Sequence, residues 1–190
     1  MFTLPSIALF IHIVGAITLY TAIGIEWVFI MNIKKASHIS TVKQWFGIMS
    51  KMGKLHGPSW LAILSSGIYL SAAVWGFHAW ISVTLITIGI IMFFGAFVSG
   101  RILRNIGQSV AAADALTGEI RERLNNPVFV LSASIRTALA AQIILLMTIK
   151  PDLTGSLATL VLAFITGYSA YAMKNRQTVP ANQIKQEITE

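Results

Sequence analysis

Residues 6–35 read SIALFIHIVGAITLYTAIGIEWVFIMNIKK, and the fold turns on how that stretch is read. From Ser6 to Ile33 it carries one charged residue, Glu26, and it ends in Lys34-Lys35. A helix rises 1.5 Å per residue, so about 20 apolar residues cross the hydrocarbon core of a bilayer. The run is too long for the apolar region of a signal peptide, and no cleavage site follows it, so it is expected to stay as a first membrane helix. Lipid makes ionisable side chains expensive. His12 and Glu26 therefore need partners or a task.

The composition agrees with that reading. The chain has 190 residues, 55% hydrophobic and 11% charged, against about 25% charged in a soluble domain. Four more apolar segments are long enough to span, at 57–76, 80–103, 128–149 and 153–173. The expected fold is all-α: a polytopic five-helix transmembrane bundle, a four-helix core plus one, forming a single domain over 1–173 with a polar tail at 174–190. The linker 34–55 has five lysines and no acid. Its Val42, Trp45, Phe46, Ile48 and Met49 suggest a short amphipathic helix lying in the membrane interface. Gly89, Gly95, Ala96, Ser99 and Gly100 give the third segment small residues that let helices close on one another.

The net charge of +7 does not point to nucleic acid, because the basic residues sit at the ends of the apolar segments. Five Lys/Arg lie in the 34–55 linker, four in 101–127 and three after 173, against Lys150 alone on the other side. That asymmetry predicts an outside N-terminus, a cytoplasmic C-terminus and a multi-pass protein of the cell membrane, in bacteria the inner membrane. The absence of cysteine excludes disulfides, thiolate metal ligands and iron–sulfur clusters.

His12, Gly15, Leu19, Ala22 and Glu26 recur at steps of three and four, so they share one stripe that should face the bundle. Glu26 lies roughly 10 Å inside the basic edge of the first span, and Arg136 roughly 13 Å inside the fourth. Opposite charges at one depth are expected to pair. The plain reading is a lock between two helices. The functional readings are a proton path, a clamp for an anionic group, or a carboxylate ligand on Arg136 while Glu26 does something else. Among the other histidines, His78 lies in the turn before the third span and can approach His12. His56 opens the second span at the opposite membrane face, so it reaches the same site only if that helix starts deeper. His38 reads as a surface residue. With no cysteine and few acids, haem iron held by neutral imidazole fits better than zinc or calcium.

The order of FIHIVGAITLY, then HGPSWLAILSSGIYL, then AWISVTLITIGIIMFFGAFVSGRILRNI, then RERLNNPVFVLSASI resembles the HemJ/CopD-like superfamily of small membrane proteins, over residues 6–150. The resemblance implies a helical bundle binding haem b, with the first-span histidine, here His12, as an axial ligand. Thr84 stands where the protoporphyrinogen oxidases of that superfamily carry a lysine, and 153–173 lies outside the pattern. The resemblance therefore extends to the fold and to haem, and whether the chain is an enzyme stays open. Three function classes follow. The first is a haem b protein for electron transfer, haem handling or gas sensing. In it His12 is the proximal ligand and His78 or His56 the second. Tyr20, Trp75, Phe77 and Trp80 would be pocket walls, if they are not simply an interfacial belt, and Arg101 or Arg104 would pair with propionates were the site cytoplasmic. The second is a solute or proton transporter or channel using His12, Glu26 and Arg136. No internal repeat supports a monomeric carrier, but an oligomer of the chain can form a pore. The third is an accessory subunit of a membrane complex. The expected partners are the bilayer, a redox protein or membrane complex, and other copies of the chain.

Overall fold

The computed structural model describes residues 2–176, apart from the side chains of 55, 56 and 174–176. The expectation for His56 as a ligand, and most of the expected polar tail, lie outside the described residues.

Every element among the described residues is helical. Thr3 caps α1 (Leu4–Lys35), its hydroxyl accepting from the Ser6 amide, and Pro5 sits in the first turn, where a missing N–H costs nothing. Three residues later α2 begins, and it runs unbroken from Ile39 to Leu70 before widening into a π-helical turn at Ser71–Trp75. Gly76 takes the tight turn at φ +75°, a conformation that glycine adopts freely. Next come α3 (Ala79–Phe93), a second π-helical turn at Phe94–Ser99 and α4 (Gly100–Ala112) as one rod. The short α5 (Gly118–Leu124) leads to α6 (Pro127–Ile149). Asn126 caps α6, accepting from the amides of Val128 and Phe129, and Pro127 opens it. Lys150 turns the chain at φ 51°, and α7 (Leu153–Arg176) closes the fold. Five helices or helical rods are long and apolar enough to cross a membrane.

One expectation needs correction. The 34–55 linker holds no separate interfacial helix, because its residues form the first half of α2. The reason is packing. Val42, Trp45, Phe46 and Met49 lie at steps of three and four on one face, against Phe29 of α1 and Ile106 and Val110 of α4. That face is buried in protein rather than in headgroups, and Ile48, off the stripe, is exposed. Pro58 removes a single backbone bond inside α2 without ending it. The small residues of the third segment divide. Gly89 has nothing within 4 Å of its would-be Cβ, whereas Ser99 meets Ser132 of α6 at 2.9 Å. The closest helix approaches come at Gly15, where a Cβ would meet Ile63 Cγ1 at 2.9 Å, and Gly167, where it would meet the Ile135 Cα at 2.8 Å.

The packing has two parts. α1 lies along α2, and α6 lies along α7 with α3 against both. The two parts join most firmly at the end carrying Lys35, Ala112 and Pro127, hereafter the basic end. There Phe29, Ile30, Val42, Val110, Leu124 and Phe129 form the largest core. Toward the Gly76 end the seam between the parts is open. Outward-facing Phe10, Leu61, Phe93 and Ile165 stay exposed, as lipid-facing side chains do.

Candidate functional site

The open seam forms two cavities in line. The one nearer the basic end holds about 500 Å³ and is lined by Glu26, Ser50, Gly95, Ser99, Arg104 and Arg136 among apolar residues. The one nearer the Gly76 end holds about 610 Å³, with His12, Tyr20, Trp75, Trp80 and Lys150 in its walls. Both lie in the size range of small-molecule sites. Leu19, Ile23, Trp60 and Ile91 border both cavities and divide them.

The first cavity contains the ion pair. Arg136 Nη2 on α6 lies 2.5 Å from Glu26 Oε1 on α1, and both side chains are only 11% exposed. The same nitrogen donates to Ser99 Oγ at 3.1 Å, and Ser99 and Ser132 share a 2.9 Å hydrogen bond. Three elements thus meet on one guanidinium. The contact is end-on rather than a fork. Nη2 does all the donating, Nε is buried with no partner, and neither Nη1 nor Glu26 Oε2 has a hydrogen-bond partner among the described residues. Arginine–carboxylate pairs are frequently forked, with two parallel bonds.

The second cavity is built around His12. Its Nδ1 lies 3.1 Å from the Ile63 carbonyl and 3.2 Å from Ser66 Oγ. A carbonyl only accepts, so Nδ1 carries the hydrogen and, in the neutral ring, Nε2 keeps the lone pair. Metal-binding histidines are oriented in this way, with the second nitrogen donating to a backbone carbonyl. Gly67 makes room for the ring, since a Cβ there would stand 3.1 Å from His12 Cε1. Tyr20 donates to the Ala140 carbonyl at 2.7 Å, joining α1 to α6 across the cavity. Lys150 sits over the faces of Trp75 and Trp80, at 5.5 and 5.7 Å. A narrower pocket is also lined by His12, together with Trp75, Phe77, Trp80 and Thr84.

His78 does not line the cavities that His12 lines. It is exposed, it caps α3 through its backbone, and it lines a more open pocket with Lys150 and Asp152 that His12 does not reach. His38 is exposed and makes no side-chain cap at the start of α2. Arg101 lies over Phe97, away from both cavities, while Arg104 lines the first. No group of three or more metal-ligating side chains exists among the described residues. Sequence reasoning missed Ser99, Gly67, Trp60 and Lys150 as site residues. Only Gly67 had a signal, the glycine near the end of the second span. No family model, curated protein or solved structure matches the chain.

Proposed function

We propose that the chain is a multi-pass protein of the cell membrane, N-terminus outside and C-terminus cytoplasmic, that binds haem b in the cavity lined by His12. The observation carrying the reading is the His12 ring. Its Nδ1–H is spent on Ile63 and Ser66 of α2, which leaves Nε2 as the ligating nitrogen in an apolar, aromatic-walled cavity. Tyr20, Trp60, Trp75 and Trp80 would border the macrocycle, and Lys150 is the cation available to a propionate. Haem would supply a one-electron iron couple and a site for diatomic gases. The chain's own residues orient the ligand, keep water out and balance the charge. With His78 outside the cavity, one protein ligand favours gas sensing or haem handling over a two-histidine electron carrier.

The test is the visible spectrum of the full chain purified from haem-replete cells. A Soret band of five-coordinate type is expected, lost in His12→Ala and unchanged in His78→Ala and His38→Ala. No Soret absorption, even after added hemin, would overturn the reading. A solute path is the second reading, favoured by the two cavities lying in line with only Leu19, Ile23, Trp60 and Ile91 between them. Haem-free protein that conducts a small solute in proteoliposomes would put it first.

A further inference from the structure

The cavity at the basic end has a chemistry of its own, separate from the haem reading. Its charged walls are Arg136, Arg104 and Glu26, which leaves one positive charge in excess. Its remaining walls are apolar except for Ser50 and Ser99. Within it the Arg136 guanidinium is half used. Both hydrogens of Nη2 are engaged, by Glu26 and Ser99, while Nη1 and Nε have no acceptor among the described residues. Nε is shut off, but Nη1 stands beside Gly95, whose missing side chain leaves open space. A Cβ there would come no nearer than 3.9 Å to Arg136 Cδ and Nη1. Leaving charged donors unmet in an apolar setting is costly, so an arriving acceptor gains what the protein has left unmade.

We propose that this cavity binds an amphipathic monocarboxylate, its carboxylate on Arg136 Nη1 and its apolar body along Leu19, Ile23, Trp60 and Ile91. One excess positive charge suits one negative charge, so a dianionic phosphate monoester is disfavoured. An uncharged body alone leaves the donors unmet. About 500 Å³ accommodates a chain of medium length. Glu26 competes with the ligand for the guanidinium, so it sets affinity downward.

The probe is decanoate, titrated into the full chain in an uncharged detergent, with decanol and decyl phosphate as comparisons. Trp60 fluorescence reports occupancy, and a Trp60→Phe variant assigns the signal. Saturable decanoate binding is expected, at least ten-fold tighter than decanol and tighter than decyl phosphate. Gly95→Leu fills the space beside Nη1 while keeping both charges of the ion pair, and should weaken decanoate at least ten-fold. Glu26→Gln should strengthen it several-fold. His38→Ala, remote from the cavity, should change nothing. Decanol binding as tightly as decanoate, or Gly95→Leu binding normally, would overturn the proposal. Decyl phosphate winning, or a co-purified phospholipid that decanoate fails to displace, would replace the carboxylate with a phosphate headgroup. Neither outcome bears on the Soret band, so this proposal and the haem reading fail separately.

Discussion

Neutralising either member of the Glu26–Arg136 pair tests what the pair is worth, and the two halves should behave differently. Breaking a buried pair costs roughly 3–5 kcal/mol, because the survivor stays charged where water does not reach. After Glu26→Gln, Arg136 keeps Ser99 as an acceptor, but a guanidinium cannot give up its proton. After Arg136→Gln, Glu26 keeps no hydrogen-bond partner among the described residues, so that variant should lose the more. Both single variants should lose roughly 3–5 kcal/mol at pH 7. The double variant should lose less than either single one, so the coupling exceeds about 3 kcal/mol. Unfolding by SDS titration in mixed micelles measures all four proteins. Additive losses would refute the pairing argument.

Gly167→Ala should destabilise by about 1–3 kcal/mol in the same assay, because its Cβ would press on the Ile135 and Ser134 backbone at 2.8–3.2 Å, which no rotamer change relieves. Gln142→Leu should cost less than about 1 kcal/mol, although it removes the buried link between Thr87 and Thr159. Each threonine already donates to a carbonyl of its own helix, Val83 and Ser156 respectively. Because the chain has no cysteine, single cysteines at 43 and 77 can be labelled cleanly. An impermeant thiol reagent applied from outside should reach position 77 and not 43, and the reverse would refute the orientation.

The spans were legible because a bilayer demands long apolar runs, and composition shows them directly. Their ends were not, because a helix need not stop where the membrane does. The stretch 39–56 reads as linker by charge, yet it is held helical by the packing of Val42 and Phe46 on α1 and α4, a contact between residues far apart in sequence. The stripe from His12 to Glu26 was readable from spacing, and Gly15, Leu19, Ala22 and Glu26 are indeed buried. Arg136 was readable too, since a charge within an apolar run announces itself. What spacing could not give is which helix each stripe residue faces. His12 turns to Ile63 and Ser66 because α1 lies along α2, whereas Glu26 on the same stripe reaches α6. The Lys150 contacts were equally hidden. Lys150 read as a lone topology-setting charge, and it reaches Trp75 and Trp80 only because the ends of α2, α3 and α6 converge.

The least readable feature is one that builds the site: the π-helical turn at Phe94–Ser99. Buried residues on α3 fall at Thr84, Thr87, Ile88 and Ile91. Continued at 3.6 residues per turn, that face would next present positions 95, 98, 102 and 105. The buried positions that follow are instead Ser99, Ile106 and Val110, about one residue later, and Asn105 is exposed. The wide turn absorbs the extra residue, its i-to-i+5 pattern visible in the Gly100 amide bonding to the Gly95 carbonyl. One residue corresponds to a rotation of about 100°, the difference between Ser99 facing Arg136 and Ser99 facing away. The same turn holds Gly95 beside Nη1. The other π-helical turn, Ser71–Trp75, delivers Trp75 to the second cavity. Each cavity is thus completed by a residue that a regular helix would have pointed elsewhere. Gly100 suits this role, because a Cβ there would stand 3.2 Å from the Gly95 carbonyl that closes the turn.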